Sequence, residues 1–256
     1  MDERWAIQQV FPPELRLEEA GIDVAGVLTA RAFDAAVPAA WRTAALLPSA
    51  QSAAVLGCSG RAFGAAFERS PEARDGAADP IDRFTARVVE GAARELRARG
   101  AQARALFYWE RRSGRFADFV ALGRACGLGM PGRLGVLIHP TLGPWIALRA
   151  VLLTSETLAP TPSGDGLDAC ASCPAPCSLA CPADAPRAAG FDVQACIRET
   201  RAHEPCRVGC AARRACVVGS EHAYPPALER RLRAAVVQGL GHGERGALEG
   251  SHRHDR

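Results

Sequence analysis

Among its 256 residues the chain contains no lysine, so all 31 of its basic residues are arginine. Together with the abundance of Ala and Gly, that reads as a mark of GC-rich coding rather than a phosphate-binding device. The excess of positive over negative charge is only +3, too small for a nucleic-acid surface. No stretch reaches the roughly 18 uninterrupted apolar residues that a membrane-spanning helix needs. Met1-Asp2-Glu3-Arg4 opens acidic and no apolar leader core follows, which excludes an export signal from the expectation. The chain is therefore expected in the cytoplasm with no membrane partner, where a reducing environment disfavours structural disulfides. Hydrophobic content of 48% and charged content of 23% are ordinary for a globular protein. The length allows one sizeable domain with a smaller appendage.

Cysteine, by contrast, is plentiful and clustered. Cys170, Cys173, Cys177 and Cys181 form one group; Cys196, Cys206, Cys210 and Cys216 form the next. The first reads C-A-S-C-P-A-P-C-S-L-A-C-P, close to the run in which three thiolates face one iron–sulfur cube and a fourth, followed by proline, ligates its neighbour. Each cube needs four thiolates, so eight cysteines suit two [4Fe-4S] clusters and a protein that handles electrons. Zinc is the competing ligand chemistry, since it also takes thiolates in C-x2-C pairs. Zinc sites usually bring separated pairs, often with histidine, whereas three short steps ending in Cys181-Pro182 favour the cube.

Ahead of the cysteines the pattern alternates strands with helices, an α/β or α+β class. A helix is expected at 14–20, closed by Gly21, then strands at 23–29 and 53–57. The strongest helix is 81–98, where Ile81, Phe84, Val88, Val89, Ala92 and Leu96 share one face. Asp79-Pro80 is its expected N-cap and first-turn proline, and Gly100 its stop. A strand at 102–109, a helix at 116–126 and strands at 136–138 and 145–154 follow. Residues 155–169 read as a linker, 168–218 as the cysteine module, 226–238 as a helix and 239–256 as a disordered tail. The domain expectation is 1–155, 156–225 and 226–256.

Between the helix and the strand lies G-L-G-M-P-G-R-L-G, from Gly127 to Gly135. A dinucleotide fingerprint needs its strand first and its helix afterwards, so the reversed order here argues against one. Gly127 reads most simply as a helix C-cap. Cys58 and Cys126 read as buried thiols rather than ligands. His203, His222, Arg207, Arg213 and Arg214 flank the clusters as candidates for tuning their potential or docking an acidic donor.

The segment A-C-G-L-G-M-P-G-R-L-G-V-L-I-H-P-T-L-G-P-W, ending at Trp145, resembles the A-G-L-G-W-I-G-K-N-T-L-L-I-H-P…G-S-W segment of epoxyqueuosine reductases. Those enzymes also place it just before a ferredoxin-like module. The opening A-G-I-D-V-A-G-V-L-T-A resembles their first helix-to-strand turn. The likeness implies a cobalamin-binding domain resembling nitroreductases over 1–155, then a two-cluster ferredoxin-like domain. It also implies a corrinoid approached closely by Gly127, Gly129, Gly132 and Gly135, with His139 and Trp145 beside it. Crossed ligation, as in the family, assigns Cys170, Cys173, Cys177 and Cys216 to one cube. The other takes Cys181, Cys196, Cys206 and Cys210. Two spacings depart from the family's: three residues separate Cys173 from Cys177, and five separate Cys210 from Cys216.

The family's reaction reduces epoxyqueuosine in tRNA, with an aspartate in D-x-x-P as proton donor. Counting fourteen residues back from Gly127 lands on Ser113, and Phe116 stands where the proline would be. The nearest carboxylate is Asp118, which reads as an exposed helix residue. The family's G-K-N-T is Gly132-Arg133-Leu134-Gly135 here. A serine hydroxyl does not donate a proton at neutral pH as a carboxylic acid does. The expected function is thus a corrinoid-linked reductase acting on another small-molecule or modified-nucleoside substrate, fed by a donor such as ferredoxin or flavodoxin. An iron–sulfur electron carrier and a zinc-stabilised interaction protein are the alternatives.

Overall fold

A computed structural model describes residues 5–162 and 168–234. The chain divides into two compact units: 1–132, 136–173 and 217–222 form the first, and 133–135, 174–216 and 223–256 the second. The expected tail at 239–256 lies outside the described residues.

The first unit is built on strands β1 (Val24–Thr29), β2 (Ser52–Cys58) and β3 (Ala103–Phe107), to which a later and longer strand is added. Helices α1 (Ala30–Ala36), α2 (Thr43–Leu46), α3 (Arg61–Arg69), α4 (Pro80–Ala98) and α5 (Phe119–Ala125) fill the intervals. The pairs β4 (Met130–Pro131) and β5 (Leu137–Ile138) then precede β6 (Ala147–Thr154). The main sheet has the order β1-β2-β6-β3 with every pairing antiparallel. The α/β expectation holds as a mixed fold, though without parallel βαβ crossovers. Every residue of β2 is buried, which requires cover on both faces of the sheet. Alternate residues Val24, Leu28, Ala53, Val55, Val151 and Leu153 join one core with Phe33 of α1 and Phe119 and Leu122 of α5. Helix α4 packs against β3 and β6.

Several expected elements shift. The helix at 14–20 is a single 3-10 turn, Pro13–Leu15, ended by Arg16 in the left-handed region at φ 55°. Asp79 does not cap α4 with its side chain; it too is left-handed, at φ 50°. The expected helix from 116 begins at Phe119, because Asp118 is its N-cap and accepts the Ala121 N–H at 2.9 Å. Helices α1 and α3 had no expectation. The helix proposed at 226–238 is present over the described residues 226–234.

The second unit carries α6 (Pro176–Ala180), the short hairpin of β7 (Pro186–Arg187) with β8 (Gly190–Phe191), α7 (Val193–Ala202), α8 (Glu204–Val208), α9 (Ala211–Arg214) and the helical residues 226–234. Helix α6 packs on α9, and α7 on α8.

Phe84 is the aromatic anchor of α4. It is 3% exposed and meets Phe63 and Phe67 edge-to-face at centroid distances of 5.4 and 5.7 Å. Truncating it removes the ring shared by α3 and α4, so Phe84→Ala should destabilise the protein by about 3–5 kcal/mol. Denaturant unfolding checks this; an unchanged midpoint would show that α4 contributes no packing energy there.

Candidate metal centre

The helices of the second unit are punctuated by cysteine. Cys177 lies in α6, which starts at Pro176 after a left-handed Ala175 and ends at Cys181. Cys196 sits in α7, whose N-cap Asp192 accepts the Ala195 N–H at 2.9 Å. Cys206 lies in α8, Cys210 is the N-cap position of α9, and Cys216 follows it. The packing of α6 on α9 brings the stretch of Cys177 beside that of Cys210, and the packing of α7 on α8 brings the stretch of Cys196 beside that of Cys206.

The electrostatics record that convergence. Burial pushes the Cys206 thiol up first, then Glu199, and the thiols of Cys210 and Cys181 add to it. Burial likewise pushes Cys210 up, with Cys196 acting in the same direction and Arg233 opposing. Cys206 thus feels Cys181 and Cys210, and Cys210 feels Cys196, all members of the set that crossed ligation assigns to one cube. All ten cysteines are free of disulfide bonds. Among the described residues, no three His, Cys, Asp or Glu side chains converge as they would on one metal ion. A cube carries its thiolates on four separate irons, so its ligands need not point at one centre.

Cys170 and Cys173 close the last long stretch of the first unit, with the Cys170 N–H donated to Asp168 Oδ1 at 2.9 Å. Cys58 and Cys126 are fully buried in that unit. Burial pushes the Cys126 thiol up to about 12, and its sulfur lies where a side chain on Gly26 would go. Cys58 Sγ accepts from Arg149 Nε at 3.4 Å, and burial pushes its thiol up as well. Both are inert core groups by their geometry.

The six residues expected beside a corrinoid are tied into the chain's own packing. Gly127, at φ 73°, closes α5. A Cβ on Gly129, at φ 147°, would stand 2.3 Å from the Ile138 carbonyl oxygen. On Gly132 it would meet the Ile138 side chain at 2.3 Å and the Cys170 sulfur at 3.3 Å. On Gly135 it would meet the Phe191 ring at 2.9 Å. His139 is fully buried: its Nδ1 accepts the Thr141 and Leu142 N–H groups, both at 3.1 Å, and its ring meets Trp5 edge-on at 4.6 Å. Accepting at Nδ1 places the ring proton on Nε2. Trp145 is also fully buried. None of the six lines the open groove of about 680 Å³ between the 14–20 segment, α3 and α4. The missing side chains of Gly129, Gly132 and Gly135 thus make room for neighbouring parts of the chain.

Ser113 is exposed in a tight turn at φ 50°, between the bridged Arg112 and Arg115. The carboxylate of Asp118 is engaged as a helix cap. Of the flanking groups, His203 Nδ1 pairs with Glu199 at 2.6 Å and His222 with Glu221 at 3.6 Å. Arg207 donates to the Arg201 carbonyl, Arg213 lies over the Tyr224 ring at 4.6 Å, and Arg214 pairs with Glu229. Two polar residues went unremarked in the sequence, Glu229 and Arg233, both in the helical stretch 226–234 and both bonded to the backbone of a cysteine.

No protein-family model matches the sequence, and no curated protein does. Solved structures do match in fold. An epoxyqueuosine reductase crystallised with an epoxyqueuosine-modified tRNA-Tyr stem loop superposes with a TM-score of 0.53 at 16% identity, over 85% of this chain and 67% of that one. The C. elegans B12-trafficking protein CblC gives 0.53 at 13% identity, covering 86% and 88%. The catabolic reductive dehalogenase NpRdhA, in complex with 3-bromo-4-hydroxybenzoic acid, gives 0.51 at 18% identity, covering 86% and 34%. The chain has the epoxyqueuosine reductase-like fold and spans about two thirds of the length of those enzymes.

Because Gly129 meets backbone, its requirement is independent of any ligand. Gly129→Ala should destabilise the cofactor-free protein by about 2–5 kcal/mol through left-hand strain and overpacking. Thermal melts of the apo protein check it; a loss appearing only after corrinoid is added would mean that the glycine serves the cofactor.

Proposed function

We propose that this chain is an iron–sulfur redox protein in which eight cysteines hold two [4Fe-4S] clusters and serve a reductase-type domain over residues 1–155. The observation that carries the reading is the spacing of eight cysteines in two groups, supported by the electrostatic influence of Cys181 and Cys210 on Cys206 and of Cys196 on Cys210. The donor set fits the group by its chemistry, since thiols free of disulfides are the ligands a cube takes. Cys170, Cys173, Cys177 and Cys216 are the second set that the resemblance implies through crossed ligation. Bound there, a cube takes up and releases one electron at a time. The polypeptide binds the thiolates, shields them by burial and supplies fixed charge around them. The module at 156–225 is read as ferredoxin-like on the same spacing, with a small acidic donor such as ferredoxin or flavodoxin meeting its arginines.

The reductase reading rests on fold, shared with epoxyqueuosine reductase and a reductive dehalogenase. The corrinoid expectation rests on resemblance and on the fold shared with a B12-trafficking protein. Gly127, Gly129, Gly132, Gly135, His139 and Trp145 are the residues read as standing beside it, on the resemblance alone. The substrate is read as a small molecule or modified nucleoside other than epoxyqueuosine, because Ser113 occupies the donor position on an exposed turn. Among the described residues no helix is long and apolar enough to cross a membrane. A reducing cytoplasm is the compartment that suits ten free thiols.

Two measurements test this reading. Protein purified without oxygen is expected to contain about eight irons and eight acid-labile sulfides. Two bound zinc ions with no labile sulfide would overturn the proposal in favour of a zinc-stabilised fold. In a strain lacking epoxyqueuosine reductase, the gene is expected to leave the tRNA unmodified. Full restoration of queuosine would show that the substrate is unchanged and that a residue other than Ser113 gives the proton.

A further inference from the structure

Residues 226–234 form a helix in the second unit, and two of its side chains, one turn apart, reach the stretch between Cys206 and Cys210. Glu229 is 3% exposed. Its Oε1 accepts the Cys210 N–H at 2.9 Å, while its Oε2 pairs with Arg214. Arg233 Nε donates to the Cys206 carbonyl at 2.9 Å, and its Nη2 donates to the same carbonyl and to Thr200 Oγ1 at 3.0 Å. Thr200 is buried, and its hydroxyl lies 4.0 Å from Cys196 Sγ. One helix thus ties down the backbone at two of the four cysteines and approaches the sulfur of a third.

The two residues differ in charge balance. The carboxylate of Glu229 is compensated by Arg214. The hydrogen-bond partners of Arg233 are neutral oxygens, and among the described residues no carboxylate pairs with it. A guanidinium stays protonated at any working pH, so Arg233 is a permanent positive charge beside Cys206 and Cys210. A cube with four thiolates is anionic and gains a further negative charge on reduction. A nearby fixed cation favours the reduced form and raises the potential.

We propose that Arg233 sets the potential of the centre held by Cys181, Cys196, Cys206 and Cys210, with Glu229 as the residue that positions its Cys210 arm. The proposal rests on the iron–sulfur reading and concerns this cube alone. The experiment is EPR-monitored redox titration of the anaerobic full-length protein. In Arg233→Gln, one cube is expected to become harder to reduce by about tenfold, a shift of about 59 mV for a one-electron couple, while the other cube stays unmoved. Arg233→Lys keeps the charge and should restore most of that difference. Glu229→Gln leaves Arg214 uncompensated and should move the same cube in the opposite direction. Opposite signs from two residues on one helix face are not the signature of a merely structural clamp. Equal potentials for the Gln and Lys variants, or shifts of one sign at both positions, overturn the proposal while the cubes remain. If Arg233→Gln does not retain its cube, the signs for Arg233→Lys and Glu229→Gln decide. Wild-type protein without labile sulfide instead removes the iron–sulfur reading on which all of this stands.

Discussion

The pairing of β2 with β6 is the constraint from which the first unit is built. The two strands are separated by nearly ninety residues, and their antiparallel ladder runs from Ser52 opposite Thr154 to Cys58 opposite Ala147. Closing so long a loop is entropically costly, and the return is a strand with no exposed residue. Once the ladder forms, β1 and β3 complete the sheet on its two sides, and the helices between cover its faces. The β4–β5 hairpin and the His139–Gly143 turn then deliver the chain into β6 at the required register. This explains the density of glycine there. Gly143 sits at φ 58° because the backbone of Val218 occupies the space of a side chain, and Gly219 meets Leu142 in the same way.

The second unit is held differently. Among its described residues the buried apolar ones are few: Cys177, Ala185, Ala195 and Ala212, with Leu134, Tyr224 and Leu228 as the larger ones. Its helices are short, and polar ties such as Asp192 to Ala195 and Glu229 to Cys210 do much of the fastening. A unit this poor in core needs another source of stability, and covalent metal ligation is the usual one. Metal binding at such a centre is folding free energy, because the unfolded chain has no preformed site.

Position in the fold also decides what the polar residues mean. His139 and Asp118 look like chemistry in one dimension. In three, the imidazole organises a turn by accepting two backbone N–H groups, and the carboxylate caps α5. Both satisfy donors that would otherwise be left without partners. Glu229 and Arg233, unremarkable in a C-terminal stretch rich in arginine, prove to hold the backbone of two cysteines.

Local pattern alone determined a good deal. The apolar face of 81–98, the strands near 23–29, 53–57 and 145–154, and the eight-cysteine spacing were all legible, because helical and strand periods and thiolate clustering are short-range signals. The helix expected at 14–20 failed because a 3-10 turn and a left-handed Arg16 replaced it, and the cap expected of Asp79 failed because that residue is itself left-handed. The antiparallel order of the sheet, the packing at Gly129, Gly132 and Gly135, and the backbone ties of Glu229 and Arg233 were decided only by tertiary structure. Each depends on atoms far apart in the chain meeting at a few ångströms, and no periodicity encodes which strand pairs with which or what a missing side chain makes room for.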